Sequence, residues 1–180
     1  MKKVWSAVVV VIVLAAMVAL MAVCGNSQAK LYVQQANEIM TRVDSLGTAL
    51  SGKISHAFSS VTSPAAFQTA VQNVKTATAE LTDTANKAKA EYEKAKSESG
   101  AGDYGKYADL QLKVIALEIQ LSDQINKFLD QALAIVNDPA GSTAQLTAAQ
   151  DAFMKEADQL NKELTAANDA ATKFKTQKNL

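Results

Sequence analysis

Four long runs of this chain place apolar residues at alternating steps of three and four, and helix-breaking residues separate the runs. Steps that average three and a half hold one stripe on one side of an α-helix, and they scatter the same residues over both faces of a strand. In the first run Tyr32, Ala36, Ile39, Val43, Leu46 and Leu50 form the stripe, and Ile54, Phe58 and Val61 continue it. The second stripe is Phe67, Val71, Val74, Thr78, Leu81, Ala85, Ala88, Tyr92 and Ala95, with Thr78 its polar member. The third run has two stripes. One follows Tyr107, Leu110, Val114, Leu117, Leu121, Ile125, Phe128, Ala132 and Ile135, with a stutter at Leu117–Leu121–Ile125; the other includes Leu112, Ile115, Ile119, Leu129, Leu133 and Val136. Two stripes predict the most buried helix of the set. The fourth stripe is Leu146, Ala149, Phe153, Ala157, Leu160, Leu164, Ala167, Ala171 and Phe174.

The breakers fix the boundaries. Ser63–Pro64 reads as an N-cap followed by proline at the first helical position. Gly100, Gly102 and Gly105 make the second break, and Asn137 to Ser142 the third, with Ser142 or Thr143 as cap. Helices are therefore expected at 27–60, 64–98, 103–137 and 143–177. Gly47 and Gly52 each weaken the first by about 1 kcal/mol relative to alanine, yet the stripe runs past them. Short connections between long amphipathic helices predict an all-α fold, an elongated antiparallel up-down-up-down four-helix bundle of coiled-coil character. Only 7 Gly and 2 Pro in 180 residues argue against a turn-rich β architecture.

Ahead of the bundle, Lys2 and Lys3 precede Val4 to Val23, a stretch of uncharged and mostly aliphatic residues. Twenty helical residues span about 30 Å, one hydrocarbon thickness. The expectation is a membrane anchor or signal segment at 1–23 and an extracytoplasmic helical domain at 24–180, the lysines staying on the cytoplasmic side. Met21-Ala22-Val23-Cys24-Gly25-Asn26-Ser27 resembles the signal segment of bacterial lipoproteins, with Val23 where that pattern has a small residue. The resemblance implies lipid attachment at Cys24. Three fates follow for the segment: retention as a single-pass anchor, lipidation at Cys24, or cleavage with secretion. The first two leave the domain tethered to the outer face of a cell membrane.

Little chemistry is left once the stripes are assigned. Lys+Arg and Asp+Glu balance at 18 each, which argues against a nucleic-acid partner. One Cys and one His, His56, supply no multi-ligand metal centre, and pairing His56 with Met40 or Met154 around a haem is the weaker reading. Gly100-Ala101-Gly102-Asp103-Tyr104-Gly105 spells a dinucleotide fingerprint, but a Lys/Glu-rich helix precedes it where a strand is needed. Gly47 to Lys53 nearly spells a phosphate loop, but Ile54 stands where a hydroxyl should hold magnesium. No nucleotide, cofactor or enzymatic activity is expected. The mixed charges of the second helix, from Lys75 to Glu98, read as a solvated face.

The expected function is a non-catalytic scaffold or partner-binding module, with the membrane and an unidentified protein as partners. The alternative is a small-ligand-binding bundle like the sensor domains of membrane receptors. Phe58 and Val61 lie at the end of the bundle expected to point away from the membrane. They are the candidate partner-contact tip, weighed against a role in plugging the core.

Overall fold

The computed structural model describes residues 28–59 and 63–180. The segment from Val4 to Val23, Cys24 and Val61 lie outside the described residues. Four helices account for nearly all the rest, with no strand among the described residues: α1 (Gln28–Ser59), α2 (Pro64–Ser97), α3 (Gly102–Asn137) and α4 (Thr143–Lys178). Each starts and ends within a residue of its sequence-based limits. At 32 to 36 residues they run roughly 50 Å each. Among the described residues no helix is long and apolar enough to cross a membrane.

The local chemistry explains the boundaries. Ser63 is the N-cap of α2, its hydroxyl accepting from the Ala66 N–H, with Pro64 in the first turn. Ser142 caps α4 in a capping box with Gln145, so two N-terminal amides find acceptors. Gly100 (φ 79°) and Gly102 (φ 55°) carry the turn between α2 and α3 through backbone that side chains disfavour. At Gly141 a Cβ would lie 2.0 Å from the Ile135 carbonyl oxygen, so only glycine fits there. Asn179 closes α4 in the left-handed region, its N–H meeting the Lys175 and Thr176 carbonyls.

One apolar core runs through all four helices, and α3 packs against each of the others. The α2 stripe is buried along its length, the α3 stripes are buried or half-buried, and the α4 stripe is buried at Ala157, Leu160, Leu164 and Ala171 and half-buried elsewhere. The α1 stripe needs a correction. Its buried seam is Ala29, Val33, Ala36, Met40, Val43, Gly47, Leu50, Ile54 and Ala57, while Tyr32, Ile39 and Leu46 are half-buried on its flank. Both lines keep the same steps. Large side chains drew the reading to the flank, whereas the seam favours small ones that let α1 approach α2.

The polar members of the seams are satisfied locally. Thr78 Oγ1 sits 2.8 Å from both the Lys75 carbonyl and Asn126 Oδ1. The charges of α2 form exposed pairs: Glu80 with Arg42 at 3.2 Å, Lys94 with Glu91 at 2.7 Å, Lys96 with Asp109 at 2.6 Å, and Lys75 with Asp130. Such exposed, solvent-screened pairs contribute little to stability. Phenylalanines from all four helices form an aromatic cluster. Phe58 packs on Phe67 and Phe128, each at 5.5 Å between centroids, and Phe128 stacks on Phe153 at 4.8 Å.

Candidate functional site

The residues singled out from the sequence are dispersed. Phe58 belongs to the aromatic cluster, where its ring closes the core between α2 and α3. His56 is exposed on α1 and borders an open depression of about 560 Å³ shared with α2. Met40 lies in the buried seam and Met154 is half-buried on α4. The glycines of the near phosphate loop lie inside α1, and those of the apparent dinucleotide fingerprint lie in the turn after α2 and the first turn of α3. Among the described residues no group of three or more His, Cys, Asp or Glu is placed to hold a metal ion.

The structure instead brings together polar side chains that the sequence reading passed over. Beside the apolar seam of α1, Asn37, Asp44 and Ser51 recur every seven residues, so they line one flank of the helix. On α3, Gln111 and Glu118 share the same spacing. At the first level Tyr92 Oη donates to Asn37 Oδ1 at 2.6 Å, Tyr107 Oη donates to the same oxygen at 3.3 Å, and Gln111 Nε2 donates to Tyr107 Oη at 2.8 Å. Tyr92 is fully buried. Burial, then the neighbouring Tyr107, Glu118 and Asp44, hold its hydroxyl well above the usual tyrosine range. Burial pushes Tyr107 up as well.

The next level is different in kind. Asp44 of α1 and Glu118 of α3 border a cavity of about 40 Å³ with Leu81 of α2, Ser122 of α3 and Leu164 of α4. Gly47, one turn from Asp44, has no side chain to fill the space. Glu118 is only 9 % exposed. Its Oε2, Asp44 Oδ1 and the buried Ser51 Oγ have no hydrogen-bond partner. The Ser122 hydroxyl donates to the Glu118 backbone carbonyl at 3.1 Å. No lysine or arginine borders the cavity. Removing a carboxylate from water without a partner disfavours its charged form. Burial accordingly raises Asp44 to about 7, and burial followed by the charge of Asp44 raises Glu118 to about 8.

The comparisons with known proteins come out negative. No family model, curated protein or solved structure matches this chain. The site therefore has to be read from its own chemistry.

That chemistry is a pair of acceptors in a low-dielectric pocket with no cation supplied by the described residues. No side chain at the cavity is a nucleophile activated by a base: the one hydroxyl on its wall, Ser122, is committed to the backbone. The pair can hold protons or attract a positively charged group. Both carboxyls were detectable in the sequence as polar residues at heptad spacing on the edge of an apolar stripe.

Proposed function

We propose that this chain is a non-catalytic helical bundle, tethered to the extracytoplasmic face of a cell membrane, that serves as a scaffold for a protein partner. The observation that carries this reading is how little large apolar surface the described helices leave uncovered. Leu31, 52 % exposed, is the exposed large hydrophobic residue among the described ones, and the charged faces are laced by ion pairs. A rod built this way holds two things at a fixed separation without needing a reaction.

In this reading neighbouring helices alternate in direction, up-down-up-down. Support comes from contacts between opposite termini: Lys178 near the end of α4 pairs with Asp103 at the start of α3 at 3.3 Å, and the end of α1 meets the start of α2 through Phe58 and Phe67. With the segment from Val4 to Val23 in a bilayer, the turn at Gly100–Gly105 and the last turn of α4 face the headgroups. The phenylalanine cluster and Ser142 then mark the distal tip, where Phe58 and Val61 meet the partner. A label at Ser142 should be reachable from outside whole cells, and one at Lys178 should be quenched by headgroup probes. Crosslinking in intact membranes should recover a protein partner; its absence from a sensitive search, or a position 178 remote from lipid, would count against the scaffold.

A second reading, a small-ligand-binding bundle working with a membrane partner, is favoured by one observation. The cavity between Asp44 and Glu118 holds acceptors that none of the described residues satisfies. A ligand-library thermal shift on the full-length protein in detergent tests it.

A further inference from the structure

We propose that the cavity between α1, α3 and α4 binds a small primary ammonium cation, with Asp44 and Glu118 as its acceptors. The inference rests on the ligand-binding reading above and names the class of ligand.

The argument begins with what the cavity lacks. Glu118 is 9 % exposed and lines the cavity with Asp44, and its Oε2 and Asp44 Oδ1 are buried without a hydrogen-bond partner among the described residues. Above about pH 8 both carboxyls are ionised and only accept, so a partner bound there must donate. The wall carries no Lys or Arg, so the missing partner should also bring positive charge. An anion would meet two carboxyls in a poorly screened site. A hard metal ion needs six or more oxygens, and the described residues offer no third carboxylate or histidine nearby. An ammonium group carries one charge and up to four N–H donors, and it imposes no fixed coordination cage.

Size narrows the class further. A space of about 40 Å³ takes roughly three water-sized atoms. That favours ammonium or methylammonium over bulkier quaternary and aromatic amines. Leu81 and Leu164 supply apolar wall for a carbon or two. α4, which supplies Leu164 to the wall, packs on α3 and makes no comparably close approach to α1.

The test is calorimetric titration and thermal shift of the full-length protein in detergent at mildly alkaline pH. Methylammonium chloride is compared with tetramethylammonium chloride at equal ionic strength, with calcium and magnesium chlorides as further arms. Methylammonium should bind and raise the melting temperature, and tetramethylammonium should do neither. Glu118→Gln, close in shape, should weaken methylammonium binding by about tenfold or more through loss of a charge-assisted hydrogen bond. Asp44→Asn should do the same, and either variant serves if circular dichroism shows the other has unfolded. Equal responses to the two amines, or a methylammonium response unchanged in both folded variants, would overturn the proposal. A larger, Glu118-dependent response to calcium or magnesium would replace the ammonium with a metal and leave the ligand-binding reading standing. If neither these cations nor any compound of the library gives a Glu118-dependent shift, both readings fall.

Discussion

Tyr92 donates to Asn37 across 2.6 Å, tying a fully buried phenol on α2 to the polar flank of α1. Tyr107 reaches the same oxygen at 3.3 Å from α3, so one amide oxygen joins three helices. Tyr92→Phe should lower stability by about 1–2 kcal/mol, and Tyr107→Phe by less, because its bond is longer. Asn37→Ala should cost more than either, since it orphans both hydroxyls. Urea midpoints rank the three; a Tyr92→Phe protein as stable as the parent would mean the hydroxyl is satisfied by water.

The carboxyl pair gives stability a pH dependence of defined sign. The folded state raises Asp44 from its ordinary 3.8 to about 7 and Glu118 from 4.5 to about 8. Between those limits the folded chain keeps protons that the unfolded chain has released. Stability is therefore full in acid near the ordinary carboxyl values. It declines as pH rises and levels off above about 8, once the folded carboxyls have also ionised. For Glu118 the slope is on the order of 1 kcal/mol per pH unit; Asp44, half-exposed, adds less. Denaturation of the protein at a series of pH values should show this decline, and Glu118→Gln should flatten most of it. A variant with the parent's slope would assign the decline to other groups.

The turn into α4 should tolerate little. Gly141→Ala drives a Cβ toward the Ile135 carbonyl oxygen, 2.0 Å away in the present backbone, and both neighbours are main chain that cannot step aside cheaply. A loss of about 2 kcal/mol or more is expected. Ser142→Ala removes the capping box and should cost about 1 kcal/mol. Thermal melts should separate the two; an undisturbed Gly141→Ala protein would show that the turn relaxes freely.

The N-terminal chemistry has its own test. If Cys24 carries lipid, Cys24→Ser should abolish metabolic acyl labelling and leave the precursor unprocessed. If the segment is retained, intact mass will include Met1 and no acyl chain. A mature N-terminus elsewhere, in a freely secreted protein, would defeat both readings.

The helices were legible because breakers and periodicity agreed at the boundaries from Ser63 onward. Ser63–Pro64, Gly100 and Ser142 each act where their local chemistry places them. The seam of α1 was less legible because Ala29, Gly47 and Ala57 carry little hydrophobic signal, although their smallness is what buries them. Asp44 and Glu118 were passed over for a related reason. A lone carboxylate beside an apolar stripe reads as the edge of a solvated face, and only the neighbouring helices decide that it is enclosed. Phe58 could be placed near an end of the core by its step, but its packing against Phe67 and Phe128 depends on three helices meeting.

The uneven sharing of buried surface among the helices also sets an order of events. α4 buries Ala157, Leu160, Leu164 and Ala171, a thinner set than α2 or α3 commits. It approaches α3 while α1, α2 and α3 hold one another. In hydrogen exchange its amides should open first, as a unit of lower free energy than the rest. In folding it should dock last, onto a three-helix platform already formed. The final fifth of the chain would then be the part whose attachment and release cost least, and the wall of the carboxyl cavity would move with it.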